Sequence, residues 1–169
     1  MIKIGLASDH AGFELKEFVK EYIEQKGYIY KDFGAYTAVS SDYPDYAHPL
    51  AMAVEIGEIE EAGEVEGNQG IDIGIAMCGS GNGIAMTLNK HQRVRAAICW
   101  NTEIARVTRA HNNANILVLP ARYINREEAA EMINIFLDTP FEGGRHQRRV
   151  EKIGIQDKDR KSTRLNSSH

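Results

Sequence analysis

IDIGIAMCGSGNGIAM, residues 71–86, is a strand, a turn and the start of a helix. Ile71, Ile73, Ile75 and Met77 make an apolar run with the length and composition of a buried strand. Cys78 then opens onto Gly79, Ser80, Gly81, Asn82 and Gly83, and the apolar segment that follows starts a helix. In such a strand–turn–helix, several backbone N–H groups converge with no side chains in the way, which makes an anion site. A cysteine at its mouth meets positive potential, which favours a thiolate. The stretch reads as a cysteine base beside a hole for developing negative charge.

Upstream, residues 2–7 (IKIGLA) form a short β-type run, and Ser8-Asp9-His10-Ala11-Gly12 turns away from it. Leu15, Phe18, Val19, Tyr22 and Ile23 then share one face of a helix that ends at Gly27. Residues 28–33 read as a second strand and residues 34–45 as loop. The next helix is placed near His48-Pro49, since proline is tolerated in a first turn, and carries Leu50, Ala53, Val54 and Ile56. Residues 57–70 set Glu58, Glu60, Glu61, Glu64 and Glu66 among glycines and read as a solvated acidic excursion, able to prolong the helix by a turn.

Downstream, residues 84–90 read as a short helix, 94–99 as a strand, 102–111 as a helix and 116–119 (ILVL) as a strand closed by Pro120. Asn125 stands three residues before Glu128, the spacing of a capping box. The helix it opens buries Ala129, Met132, Ile133, Phe136 and Leu137 and stops before Pro140. After Gly143-Gly144, residues 145–153 make a last, basic helix. Five β-runs separated by helices, without hairpin dipeptides, argue for a parallel doubly wound α/β sheet in one domain over residues 1–155. Residues 156–169 close in KSTRLNSSH, too polar to bury itself, and are expected to be disordered.

Hydrophobic residues at 43% and charged ones at 26% are ordinary for a soluble globular domain, and a net charge of −4 gives no pull toward nucleic acid or anionic membrane. No run approaches the roughly 18 apolar residues of a membrane span. Two cysteines, Cys78 and Cys99, make no disulfide framework and fit reduced thiols in the cytoplasm.

Ligands of an open α/β sheet bind beyond the carboxyl ends of its strands. Asp9 and His10 follow the first strand, and Cys78 with its loop follows the central one. The pair His111-Asn112 instead precedes a strand. Either its helix bends it toward this pocket or it serves the pocket of a second subunit. Arg145 and Arg149 stand i,i+4 on one helix face, as a phosphate clamp requires. Each piece has a plainer reading: a chain-reversing turn, a small core cysteine, an Asp-turn neighbour, a helix cap, a solvated basic surface. The loop is neither a dinucleotide fingerprint nor a Walker loop, no His/Cys pair has zinc-ligand spacing, and Ser80 lacks a nucleophile elbow.

Taken together, SDHAGF (8–13), DYPDYA (42–47), CGSGNG (78–83), HNNAN (111–115) and EGGRHQRRV (142–150) closely resemble the B-type ribose-5-phosphate isomerases, whose family also holds galactose- and allose-6-phosphate isomerases. The resemblance covers residues 1 to about 155. It implies a Rossmann-like three-layer fold with a five-stranded parallel sheet, in a homodimer or dimer of dimers with shared active sites. By the same resemblance Cys78 is the base that moves the proton between C1 and C2, with Ile84 where other members carry a glutamate. Ser80 matches a hydroxyl that assists ring opening, and His111 the acid/base for that step, supplied by the neighbouring subunit. Asp9, His10 and Tyr43 match substrate contacts, and the amides of Gly79, Ser80, Gly81, Asn82 and Gly83 match the hole for the enediolate oxygen. Asn112, Arg122, Arg145 and Arg149 match sugar and phosphate contacts that come with His111 from the neighbouring subunit. No metal or nicotinamide cofactor is expected, nor nucleic-acid or membrane partners. A six-carbon substrate such as allose 6-phosphate, or a non-catalytic sugar-phosphate sensor, are the other readings. Residues 57–70 look about a dozen residues longer than the family needs, which a surface loop tolerates.

Overall fold

The computed structural model describes the backbone of residues 1–166 and the side chains of residues 1–161. Five strands, β1 (Lys3–Ser8), β2 (Ile29–Asp32), β3 (Ile73–Cys78), β4 (Ala96–Ile98) and β5 (Ile116–Pro120), form one sheet in the order β2-β1-β3-β5-β4. Every pairing is parallel. The helices are α1 (Phe13–Gln25), α2 (Tyr43–Glu61), α3 (Asn82–Leu88), α4 (Thr102–Asn112), α5 (Arg126–Asp138), α6 (Arg145–Val150) and α7 (Asp157–Asn166). Among the described residues no helix is long and apolar enough to cross a membrane.

The alternation of the strands sorts the side chains into two layers. Ile73, Ile75 and Met77 of β3, with Leu117 and Leu119 of β5, join Val19, Ile23, Met132 and Phe136 in the core under α1 and α5. Ala76 and Cys78, with Ile116 and Val118, face Leu50, Val54, Ile84 and Leu88 under α2 and α3. The second face is the smaller-sided one. A Cβ on Gly5 would lie 2.5 Å from Leu50 Cδ1, so α2 approaches β1 closely only because residue 5 has no side chain. Cys78 therefore sits on the tight face.

Helix α2 departs from the expectation at its start and makes the expected extra turn at its end. It begins at Tyr43 rather than His48, with Pro44 in its first turn and Pro49 inside it. Two prolines are compatible with a first turn, and the earlier one occupies it. At the other end α2 runs through residue 61, into the acidic stretch read as solvated. Gly57 is buried, and a Cβ there would lie 2.2 Å from the carbonyl oxygen of Ile71, while one on Gly70 would lie 2.2 Å from the nitrogen of Gly57. The two backbones cross in contact, fixed by the Ile71 N–H donating to the Ala53 carbonyl at 2.9 Å. Three of the acidic side chains have hydrogen-bond partners. Glu58 accepts from Arg95 and Asn115, Glu60 from the N–H groups of Gln69 and Gly70, and Glu64 from Arg93.

Asn125 and Glu128 make the reciprocal capping box expected of them. At the sheet's β4 edge the Asn89 side chain donates to the Ala96 carbonyl and accepts the Ala96 N–H, both at 2.9 Å. The last basic helix ends at Val150, shorter than expected. Beyond it, in the stretch that reads as a disordered tail, residues 157–166 are the helix α7, its start tied by the Gln156 N–H to Asp159. Sparse apolar residues forbid burial, not a local helix with acidic groups in its first turn; residues 167–169 of that expectation lie outside the described ones.

Lys16, with no exposed surface, anchors the turn after β2. Its Nζ donates to Asp32 Oδ1 at 2.6 Å and to the Ala35 carbonyl, and the Gly34 N–H donates to the same carboxylate. Burial opposes charge on Asp32, yet the hydrogen bonds from Lys16 and Gly34 outweigh it and hold the carboxyl below its ordinary range. Burial also pushes the Lys16 ammonium below the usual lysine value, against the pull of Asp32.

Candidate active site

Three strand ends and one helix start meet at the carboxyl edge of the sheet, where the winding reverses between β1 and β3. Just past β1, Asp9 is buried and its Oδ1 accepts the Gly12 N–H at 3.1 Å, turning the chain into α1. His10 Nδ1 lies 3.1 Å from the Ser41 nitrogen and 3.2 Å from the Ser41 carbonyl oxygen, which ties the ring to the loop before α2. Ser41 is a contributor the sequence did not mark.

β3 ends on Cys78, 4% exposed. The β3–β5 pairing continues past the strands, with the Ala121 N–H on the Cys78 carbonyl and the Arg122 N–H on the Gly79 carbonyl, both 3.0 Å. That continuation lays the Arg122 side chain along the loop: a Cβ on Gly79 would lie 3.1 Å from a guanidinium nitrogen. Gly81 takes φ +80° as N-cap of α3, a conformation L side chains rarely adopt. Tyr43, at the start of α2, lies against Gly83, where a Cβ would be 2.6 Å from the phenol oxygen. Ser80 is exposed, and its Oγ accepts from the Asn82 N–H and side-chain amide at 3.3 and 3.2 Å. Cys78, Ser80, Asn82, Gly83 and Tyr43 thus belong to one loop system, with Arg122 at its rim and Asp9 and His10 on the neighbouring strand end. Burial pushes the Cys99 thiol up to about 12.

The remaining candidates lie elsewhere. α4 ends at Asn112, Asn113 takes a left-handed conformation (φ 48°), and the chain enters β5 from its amino end. The helix does not bend toward Cys78. Asn115 pairs with Gly74 and Pro120 with Cys78, so His111 and the Cys78 loop belong to opposite ends of β5. Those two levels are separated by roughly 16 Å at about 3.3 Å per residue. The His111 end gathers its own group. The Glu142 N–H donates to the Ala110 carbonyl, bringing α6 onto the end of α4. His111 and His146 stack with ring centroids 4.3 Å apart and 7° between planes. Both Nε2 atoms face Glu142 Oε2, at 3.6 and 3.7 Å. Burial, followed by the charges of His111 and Arg145, lowers the His146 pKa. Arg145 and Arg149 are exposed on α6, which buries no side chain. Glu142 and His146 were missed as site residues, although their i,i+4 spacing was readable.

Cavities do not single out either end. One of about 520 Å³ lies between β4, α4 and residues 153–155 and includes Asn112, whereas the hollow beside Tyr43 holds about 340 Å³.

The family model for ribose/galactose isomerases matches residues 4–153. Ribose-5-phosphate isomerase B of Escherichia coli is 37% identical over 153 residues, spanning 90% of this chain and 95% of that one. The crystal structure of a ribose 5-phosphate isomerase from Thermotoga maritima superposes with a TM-score of 0.82 at 46% identity, over 90% of this chain and 97% of that one. The Mycoplasma genitalium ribose-5-phosphate isomerase B solved with bound ribulose 5-phosphate gives 0.77 at 34% identity, over 96% and 97%.

Proposed function

The chain belongs to the ribose/galactose isomerase family, and from that premise we propose how its residues work. It is an aldose–ketose isomerase that interconverts D-ribose 5-phosphate and D-ribulose 5-phosphate, a reaction of the pentose phosphate pathway. The observation that carries the residue assignment is the buried Cys78 backed onto the Gly79–Gly83 loop at the strand-order reversal.

The reaction needs an open ring, a deprotonated carbon, a held enediolate and an anchored phosphate. Cys78, as thiolate, takes the proton from C2 of the aldose and returns it to C1, while a second proton passes from the C2 oxygen to the C1 oxygen. The amides of residues 79–83 face the oxyanion that develops between these steps. Fixed backbone donors need no reorganisation, and loss of one such donor costs about 3 kcal/mol in well-studied cases. Ser80 keeps its hydroxyl hydrogen to donate, since its oxygen already accepts from Asn82. Tyr43, Asp9 and His10 line the sugar.

Ring opening falls to His111, because an imidazole both gives and accepts protons near neutral pH. Asn112, Arg145 and Arg149 bind the sugar and phosphate remote from the reacting carbons, energy usable for orientation. The length of β5 between His111 and Cys78 supports a shared site: one chain offers its Cys78 loop to the His111 end of a second copy, in a homodimer or dimer of dimers. Two unpaired cysteines fit a cytoplasmic enzyme.

Purified, EDTA-treated protein assayed on ribose 5-phosphate, with allose 6-phosphate alongside, tests the reading. Pentose turnover that vanishes in Cys78→Ala confirms the reaction and the base together. Turnover of the hexose alone would keep the mechanism and change the substrate. Binding of both phosphates without turnover would leave a sensor.

A further inference from the structure

The stacked pair at the end of α4 has a capacity that the isomerisation does not use. His111, Glu142 and His146 each offer one ligand atom, and the three atoms lie within 4.8 Å of one another. Two imidazole nitrogens and a carboxylate oxygen are a donor set for zinc, which binds them at about 2.0–2.2 Å in a tetrahedron whose ligand–ligand edges are about 3.3 Å. Two edges already stand at 3.6 and 3.7 Å, a few tenths of an ångström from that value. The rings now lie parallel, so their in-plane lone pairs do not yet converge. Rotation about the Cβ–Cγ bond, a broad torsion in histidine, turns them toward a common point. The donors come from two elements, α4 and the 142–146 segment, docked through the Glu142–Ala110 backbone hydrogen bond.

We propose that His111, Glu142 and His146 form a reversible zinc site that switches the enzyme off. Zinc held there occupies His111 Nε2 and removes the acid/base from ring opening. The inhibition rests on the role given to His111 above; the binding does not. Arg145 and Arg149 flank the site and oppose a dication, which makes zinc a passing inhibitor rather than a resident cofactor. The fourth tetrahedral position is left to water.

The test is equilibrium dialysis of the EDTA-stripped full chain against zinc chloride, run beside turnover of ribose 5-phosphate. Wild type is expected to bind one zinc per chain and to lose turnover as it binds, with EDTA restoring it. His146→Ala and, separately, Glu142→Gln are expected to weaken zinc binding about tenfold or more, and His146→Ala to resist zinc inhibition. Absence of zinc binding to wild type, or binding unchanged in both variants, overturns the proposal. So does zinc binding that disappears in Cys78→Ser but persists in His146→Ala, which would place the metal on the thiol. Protein that binds zinc through these residues but never turns over the sugar keeps the site and refutes the isomerase reading.

Discussion

The two ends of the sheet solve different problems with different chemistry. At the carboxyl end, Cys78 is buried and its neighbours are main-chain amides of a glycine loop held by strand pairing and by Tyr43. At the amino end, His111, Glu142, Arg145 and Arg149 stand at the surface on helix ends, and their interactions run between side chains. The first arrangement is preorganised by main-chain donors, suited to charge that develops during reaction. The second is charged beforehand, suited to seizing an anion from water. The length of a strand keeps the two apart within one chain.

The comparison breaks first at Cys78. Cys78→Ala is expected to lower kcat by about a thousandfold or more while the native assembly persists by size-exclusion chromatography, as befits loss of the reacting base. Near-normal turnover would move the base elsewhere. His111→Ala is expected to cost about a hundredfold on ring-closed ribose 5-phosphate and much less on an open-chain aldose phosphate. Equal losses on both would deny His111 the ring-opening role.

Arg145→Ala and Arg149→Ala are expected to raise KM roughly tenfold each, the worth of a charged hydrogen bond to phosphate, with kcat changed less. Mixing subunits is expected to restore activity instead of removing it. A heterodimer of Cys78→Ala with His111→Ala keeps one intact site of two and should recover about half of wild-type activity under two-fold symmetry. No recovery in verified heterodimers would put the whole site inside one chain.

Outside both ends, Asp32 tests the scaffold beneath the first. Its carboxyl lies below the ordinary carboxylate value when folded, so the stability it lends is fully present above about pH 4 and is lost as pH falls through its folded value. Asp32→Asn should flatten that part of the acid unfolding curve, read by circular dichroism; an unchanged acid limb would show that the Lys16–Asp32 pair does not govern it.

Most of the fold was legible because alternation and capping are local. Ile73, Ile75 and Met77 announce β3, and Asn125 with Glu128 announces α5. The start of α2 was not, since Pro44 and Pro49 both suit a first turn and only packing chooses. The acidic stretch is solvated over residues 61–69, as read. Its ties were not legible, because Arg93, Arg95 and Asn115 are distant in sequence, and Gly57 and Gly70 matter only where two backbones touch. At the site, the glycine loop spoke for itself, while His146 and Ser41 were silent because their roles depend on which residue lies opposite.

Asn89 bears on the sheet's behaviour outside the active sites. By giving Ala96 both a donor and an acceptor, its amide plays the part of one residue of a neighbouring strand on the outer side of β4. An unguarded outer strand invites further chains to add on, the first move toward fibrils. Here the outer strand is three residues long and one asparagine covers its backbone edge at Ala96. Asn89→Ala would leave the fold in place and still make the protein harder to keep in solution.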